Sequence, residues 1–258
     1  MNKLLLVSAF SILAATPALA QINMAWRNCY TVTSGASAAR FNENSYCDGV
    51  NLAGPFTGVV SFIAPPNVTQ FVGVQITMDI QTYDVINGYS ALWDYWRMGI
   101  GECREGSFVA PLSLSGIGTG STGTCQNPFA GANTTGAYSY VSDSPCAGHA
   151  TVTFSMVRDT PRSLTAGQQY VAEAFSIDTY RGHDDGQGSG VCTGCFAPAW
   201  LSVKKLEIRQ LSPETNYLLT DDAARKWITW QGGVPEYPCD GPVLTSNRTW
   251  GAIKAIYR

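Results

Sequence analysis

Charge is scarce in this sequence. Only 14% of its 258 residues are Asp, Glu, Lys or Arg, against about 25% in an average soluble domain. Disorder needs high charge with low hydrophobicity, and 45% hydrophobic residues exclude it. A basic excess is also missing, because 16 basic residues meet 19 acidic ones for a net charge of −3, with a pI near 5.3. Nucleic acid, which asks for a basic face, is therefore not the expected partner. The Ala, Glu, Lys, Leu and Arg bias of coiled coils and long bundles is absent as well. Histidine is rare, with only His149 and His183, and no G-x-S-x-G nucleophile elbow accompanies them. Beyond the first twenty residues no segment is apolar enough to span a membrane.

What the chain has in quantity is turn residues and alternation. Its 26 Gly and 13 Pro punctuate short runs rich in β-branched and aromatic residues. In Ala150–Met156, Ala150, Val152, Phe154 and Met156 alternate with Thr151, Thr153 and Ser155, as in a half-buried antiparallel strand. Phe56–Ile63, Val68–Ile80, Ala137–Val141, Gln169–Ile177 and Leu201–Ile208 read the same way. In the last of these the apolar phase slips between Val203 and Leu206, predicting a bulge near Lys204. Turns are expected at 64–67, Asn87-Gly88, Ser144-Pro145 and 165–167. Strands without alternating helices point to an all-β, antiparallel, jelly-roll-like sandwich with long disulfide-tied loops. One or two short helices are expected near the C-terminus, over Thr249–Arg258 and around Asp221–Trp227.

Residues 1–20 carry Lys3, an apolar stretch from Leu4 to Ala15 and a small-residue Ala18-Leu19-Ala20 site. That is the pattern of a signal peptide cut before Gln21. It predicts a secreted, periplasmic or cell-surface product, with residues 21–258 forming one domain. All eight cysteines follow it: Cys29, Cys47, Cys103, Cys125, Cys146, Cys192, Cys195 and Cys239. An even count in an exported chain predicts disulfides. The short separation favours a Cys29–Cys47 pair. Cys192-Thr-Gly-Cys195 lacks the helix N-terminus of a redox pair and the second close pair of a zinc ribbon, so it too reads as disulfide-bonded.

Candidate site residues fall in two places. The densest aromatic cluster is Trp93-Asp94-Tyr95-Trp96-Arg97, and on a strand Trp93 and Tyr95 would share one face, Asp94 and Trp96 the other. One face can then be core and the other a sugar platform, with Trp93, Asp94 and Trp96 as ligand-binding candidates. Asp178, Asp184 and Asp185 supply hard oxygen atoms near His183 and form a candidate calcium site. For a glycoside hydrolase the available carboxylates are Glu102, Glu105, Glu173, Asp178 and Glu236.

Six segments taken together carry a resemblance: Ile22–Cys29, Val60–Gln81, Trp93–Arg104, Cys192–Cys195, Trp227–Gly233 and the NRTWGAIKAIYR ending at Asn247–Arg258. Their order is similar to that of a family of exported bacterial proteins with no assigned activity. The resemblance implies an exported domain with paired cysteines, and it carries over no catalytic residue. The His183–Gly190 stretch departs from that pattern. The function expected is an exported, non-enzymatic surface or binding domain with a glycan or cell-surface partner. A secreted polysaccharide hydrolase and a structural envelope component are the alternatives.

Overall fold

The computed structural model describes residues 21–29, 41–44, 55–82, 92–115, 117, 125–179, 181–182, 191–211, 216–219 and 226–233. Within them the chain runs β1 (Ile22–Trp26), β2 (Asn42–Glu43), β3 (Phe56–Ile63), β4 (Phe71–Thr82), β5 (Phe108–Val109) and β6 (Thr134–Ser142). It continues through β7 (His149–Arg162), β8 (Gln169–Ile177), β9 (Ala199–Gln210), β10 (Tyr217–Leu219) and β11 (Trp227–Trp230). The strands form two sheets, one ordered β1-β3-β8-β5 and the other β2-β11-β9-β4-β7-β6 with β10 beside β9. All pairings are antiparallel except β2 with β11. This is the expected sandwich.

The strands form where alternation can hide one face. In β4, Val74, Ile76, Met78 and Ile80 are fully buried while Gln75 and Thr77 remain half-exposed. Leu201, Val203, Leu206 and Ile208 of β9 and Val152 and Phe154 of β7 complete the inner face of the larger sheet. Against it lie Trp26, Val60, Phe62 and Phe175 of the smaller sheet. The centre is aromatic: Trp230 has Phe56, Tyr95, Trp96 and Trp26 around it at ring-centroid distances of 4.9, 5.6, 5.7 and 6.3 Å. The Trp26 indole also crosses between sheets to donate to the Thr229 carbonyl at 2.8 Å.

Beside the register shift at Phe71–Gly73 of β4, two bulges decide which residues face inward. Thr77 pairs with Lys205 but Met78 pairs with Val203, so Lys204 is the extra residue predicted from the phase slip. The second was not expected. Val60 pairs with Glu173 and Ser61 with Val171, leaving Ala172 unpaired. Tyr170 faces inward beside Phe62. Past the bulge it is Glu173, Phe175 and Ile177 that face inward, with Glu173 opposite Val60 and Phe175 opposite Gly58. A carboxyl group thus enters the core with 0% exposure.

Two sequence expectations are corrected, the Cys29 partner and the helical turn at Trp227. Cys29 bonds Cys125 rather than Cys47, with Cα atoms 6.0 Å apart. The reason is the sheet: Gln126 hydrogen-bonds along β8 at Gln169 and Val171, and the Gln169 side chain reaches Cys29 Sγ at 3.5 Å, so the start of β8 brings the two cysteines together. Cys192 bonds Cys103, and Cys195 is bonded separately, as is Cys146, so both C-x-x-C cysteines are disulfide-bonded as expected, each to a distant partner. Trp227 begins a strand and not a helical turn, since β11 pairs with Ala199–Ser202 of β9. The leader, Asn87-Gly88, residues 221–225, the C-terminal segment, Cys47 and Cys239 lie outside the described residues. No helix of the described residues is long and apolar enough to cross a membrane.

Candidate functional site

The Trp93–Arg97 cluster does not lie on a strand. Trp96 N donates to Trp93 O at 2.8 Å and Arg97 N to Asp94 O at 3.1 Å, so Asp94–Trp96 closes a 3-10 turn. A turn cannot sort its side chains onto alternate faces. Tyr95 and Trp96 both enter the core at 0% exposure, and the buried Trp96 ring offers no face to a sugar. Trp93 is half-buried against Gly194, where an added Cβ would stand 2.5 Å from that of Trp93 and φ is +103°. Asp94 is exposed, 3.8 Å from the Arg97 guanidinium.

A buried arginine holds this turn in place. Arg104 donates to the Tyr95 carbonyl at 2.7 Å and to the Asp178 carbonyl, and its guanidinium lies 3.7 Å from the Tyr95 ring centroid. Burial pushes the Arg104 pKa down and that of the Tyr95 phenol up, each partly countered by the other. Asp178 therefore contributes its backbone to a structural knot, though its side chain is exposed. Asp184, Asp185 and His183 lie outside the described residues, and among those described no cluster of three His, Cys, Asp or Glu side chains is placed to hold a metal.

The hydrolase carboxylates are dispersed. Glu102 accepts from Gly99 N at 2.6 Å and from Ser142 Oγ at 2.7 Å, and Glu105 accepts from Gly101 N at 3.0 Å, so both close their own turn. Glu173 lies in the core, where burial raises its pKa to about 8. Glu236 is outside the described residues.

The outer face of the larger sheet is a different matter. Register assigns it two cross-strand rows. The first runs His149, Gln81, Trp200, Thr229; the second runs Thr151, Asp79, Ser202, Trp227. Each of these side chains alternates with an inward hydrophobic residue, so all eight share the outer face. The Trp200 and Trp227 rings lie diagonally across β9 and β11 and stack at 4.3 Å with 23° between their planes. Both remain half-buried, and the Phe41 ring stands tilted beside Trp227 at 6.3 Å.

Beside this pair the floor is polar and buried. His149 Nδ1 meets both Asp79 oxygens at 2.9 and 3.0 Å, and Lys204 Nζ reaches Asp79 Oδ2 at 3.5 Å. The bulge is what turns Lys204 towards Asp79 while leaving its stem exposed. Ser202 is 4% exposed and its Oγ has no hydrogen-bond partner. An unpaired buried hydroxyl costs about 1–3 kcal/mol, and it is the kind of group a bound hydroxyl ligand satisfies. The residues do not form a hydrolytic triad. Ser202 sits on β9 and His149 on β7, with β4 and Asp79 between them, about two strand spacings or 10 Å apart.

Sequence reasoning missed this face because its two tryptophans are brought together only by the β9–β11 register. The available signal was Trp200 itself, adjacent to Leu201 and therefore on the polar side of that strand. No protein-family model and no curated protein matches the chain.

Proposed function

We propose that the protein is an exported binding domain that takes a glycan on the outer face of its larger sheet. The observation that carries this reading is the half-buried Trp200–Trp227 stack beside Asp79, His149, Gln81 and Ser202. A pyranose presents an apolar C–H face and an equatorial rim of hydroxyls. An indole surface matches the first, and an unpaired hydroxyl with fixed carboxylate and imidazole groups matches the second. Export is supported by the leader pattern and by bonded cysteines, which persist in oxidising compartments.

A glycan-array screen of the purified chain, with and without added calcium, tests this. Reproducible hits are expected, weakened by about tenfold, or about 1.4 kcal/mol, in Trp227→Ala and in Trp200→Ala. Trp93→Ala is expected to keep the same hits. Hits that depend on Trp93 alone would return the site to the 3-10 turn. Calcium-dependent hits abolished by Asp184→Asn with Asp185→Asn would establish the aspartate site. Cleavage of the arrayed glycan would favour the hydrolase, and a blank array would overturn glycan binding.

A further inference from the structure

Four of the five exposed sheet margins are blunted. Among the described residues β2 and β5 have two residues each, β10 has three, and the five residues of β1 are all buried. The exception is β6. It spans nine residues, TTGAYSYVS, with no charge and no proline, and seven of the nine are exposed. Its register with β7 runs from Thr134↔Arg158 to Ser142↔Ala150 without a bulge. Natural proteins protect long edges with charges, prolines, bulges or cover, and among the described residues no further strand pairs with β6, which has no charge, proline or bulge of its own.

We propose that β6 is the docking edge for a second copy of this chain, paired antiparallel about a two-fold axis through Tyr138. Two properties of the strand select that occupant. The first is self-complementarity. With Tyr138 opposite itself, Gly136 lies opposite Tyr140, Ala137 opposite Ser139, Thr135 opposite Val141 and Thr134 opposite Ser142. No like charges oppose, and the inner side of Gly136 is already filled by the Pro111 ring of its own chain. Tyr138 and Tyr140 are already oriented by hydrogen bonds to the Phe108 and Trp96 carbonyls, so docking orders little that is free.

The second property is charge. Beyond Ser142 the strand ends in an acidic group, where Asp94, Glu102 and Asp143 surround the one Arg97 at 3.8, 3.7 and 2.7 Å. At the Thr134 end stand Arg158 and Arg162, whose hydrogen bonds go mainly to the Asn127 and Pro128 carbonyls, with Asp159 beside them on Asn133, which leaves this end with one net positive charge. The two-fold axis brings the acidic end of each copy beside the basic end of the other. Opposite fields steer such an encounter and fix its register.

Sedimentation velocity across a concentration series tests the pairing. The chain is expected to shift to twice its monomer mass as concentration rises. Ala137→Lys combined with Ser139→Lys places lysines opposite each other twice and is expected to stay monomeric. Ala137→Glu combined with Ser139→Glu is expected to do the same. Mixing the two variants restores a dimer, because each lysine then faces a glutamate. These outward, exposed positions leave the fold's own contacts in place, which circular dichroism of each variant checks. A wild-type chain that stays monomeric throughout overturns the proposal. So does a dimer that both variants retain, or a mixture that stays monomeric.

Discussion

Glu173→Gln is expected to raise the melting temperature at pH 8 by about 10 °C and to leave it nearly unchanged at pH 4.5. The carboxyl lies on the inner face of β8 opposite Val60. One oxygen accepts from Ala174 N at 2.9 Å and the other has no partner. Burial raises its pKa from an ordinary 4.5 to about 8. Below pH 4.5 both folded and unfolded chains hold the proton and the group is silent. Between 4.5 and 8 the unfolded chain has released it and the folded chain has not, so stability falls as pH rises, by about 1.4 kcal/mol per pH unit. Above 8 both states are ionised and the full loss, about 5 kcal/mol, is in place, of which about 4 kcal/mol has accrued at pH 8. Glutamine keeps the shape and the Ala174 contact but cannot ionise. For a chain of this size about 4 kcal/mol corresponds to about 10 °C. Thermal denaturation of both proteins from pH 4.5 to 8.5 measures it, and parallel slopes would show that Glu173 is not the titrating group.

Removing the Cys103–Cys192 bridge by double replacement with alanine is expected to cost about 4–5 kcal/mol. The bridge spans 89 residues, and a closed loop of about 100 residues restricts the unfolded chain by nearly that amount. The Cys29–Cys125 bridge spans 96 residues, so its removal should cost almost the same if unfolded-chain entropy dominates. Urea unfolding of the two double variants makes the comparison. A much larger loss for Cys103–Cys192 would instead assign the stability to the native knot around it, where Arg104 and Tyr95 pack at 0% exposure. Equal and negligible losses would contradict the entropic account altogether.

Where a strand buries one face, the residues declared it. Phe56–Ile63 and Gln169–Ile177 are bounded as β3 and β8, and the phase slip in β9 located Lys204. The bulge at Ala172 left no such trace, because Tyr170–Phe175 is apolar in both phases except at Glu173. Alternation carries information only when one phase is polar. Trp93–Arg97 misled for the opposite reason: its three aromatic side chains suit a strand, but backbone bonds three residues along folded them into a turn. The Cys29 partner and the Trp200–Trp227 stack both depend on which strands become neighbours, a long-range choice that local pattern does not encode.

The two mapped bridges interleave, since Cys103 lies inside the span closed by Cys29 and Cys125, while Cys192 lies outside it. In a chain that emerges N-terminus first, β1 meets β3 early, but the cysteine that follows β1 does not meet its partner until much later. Cys29 waits for Cys125, β3 waits for β8, and the Trp26 indole waits for Thr229. Such high contact order slows folding. If the chain is exported as proposed, it stays threadable until Cys125 and β8 have followed Cys29 and β3, and it becomes locked only once an oxidant closes the bridges.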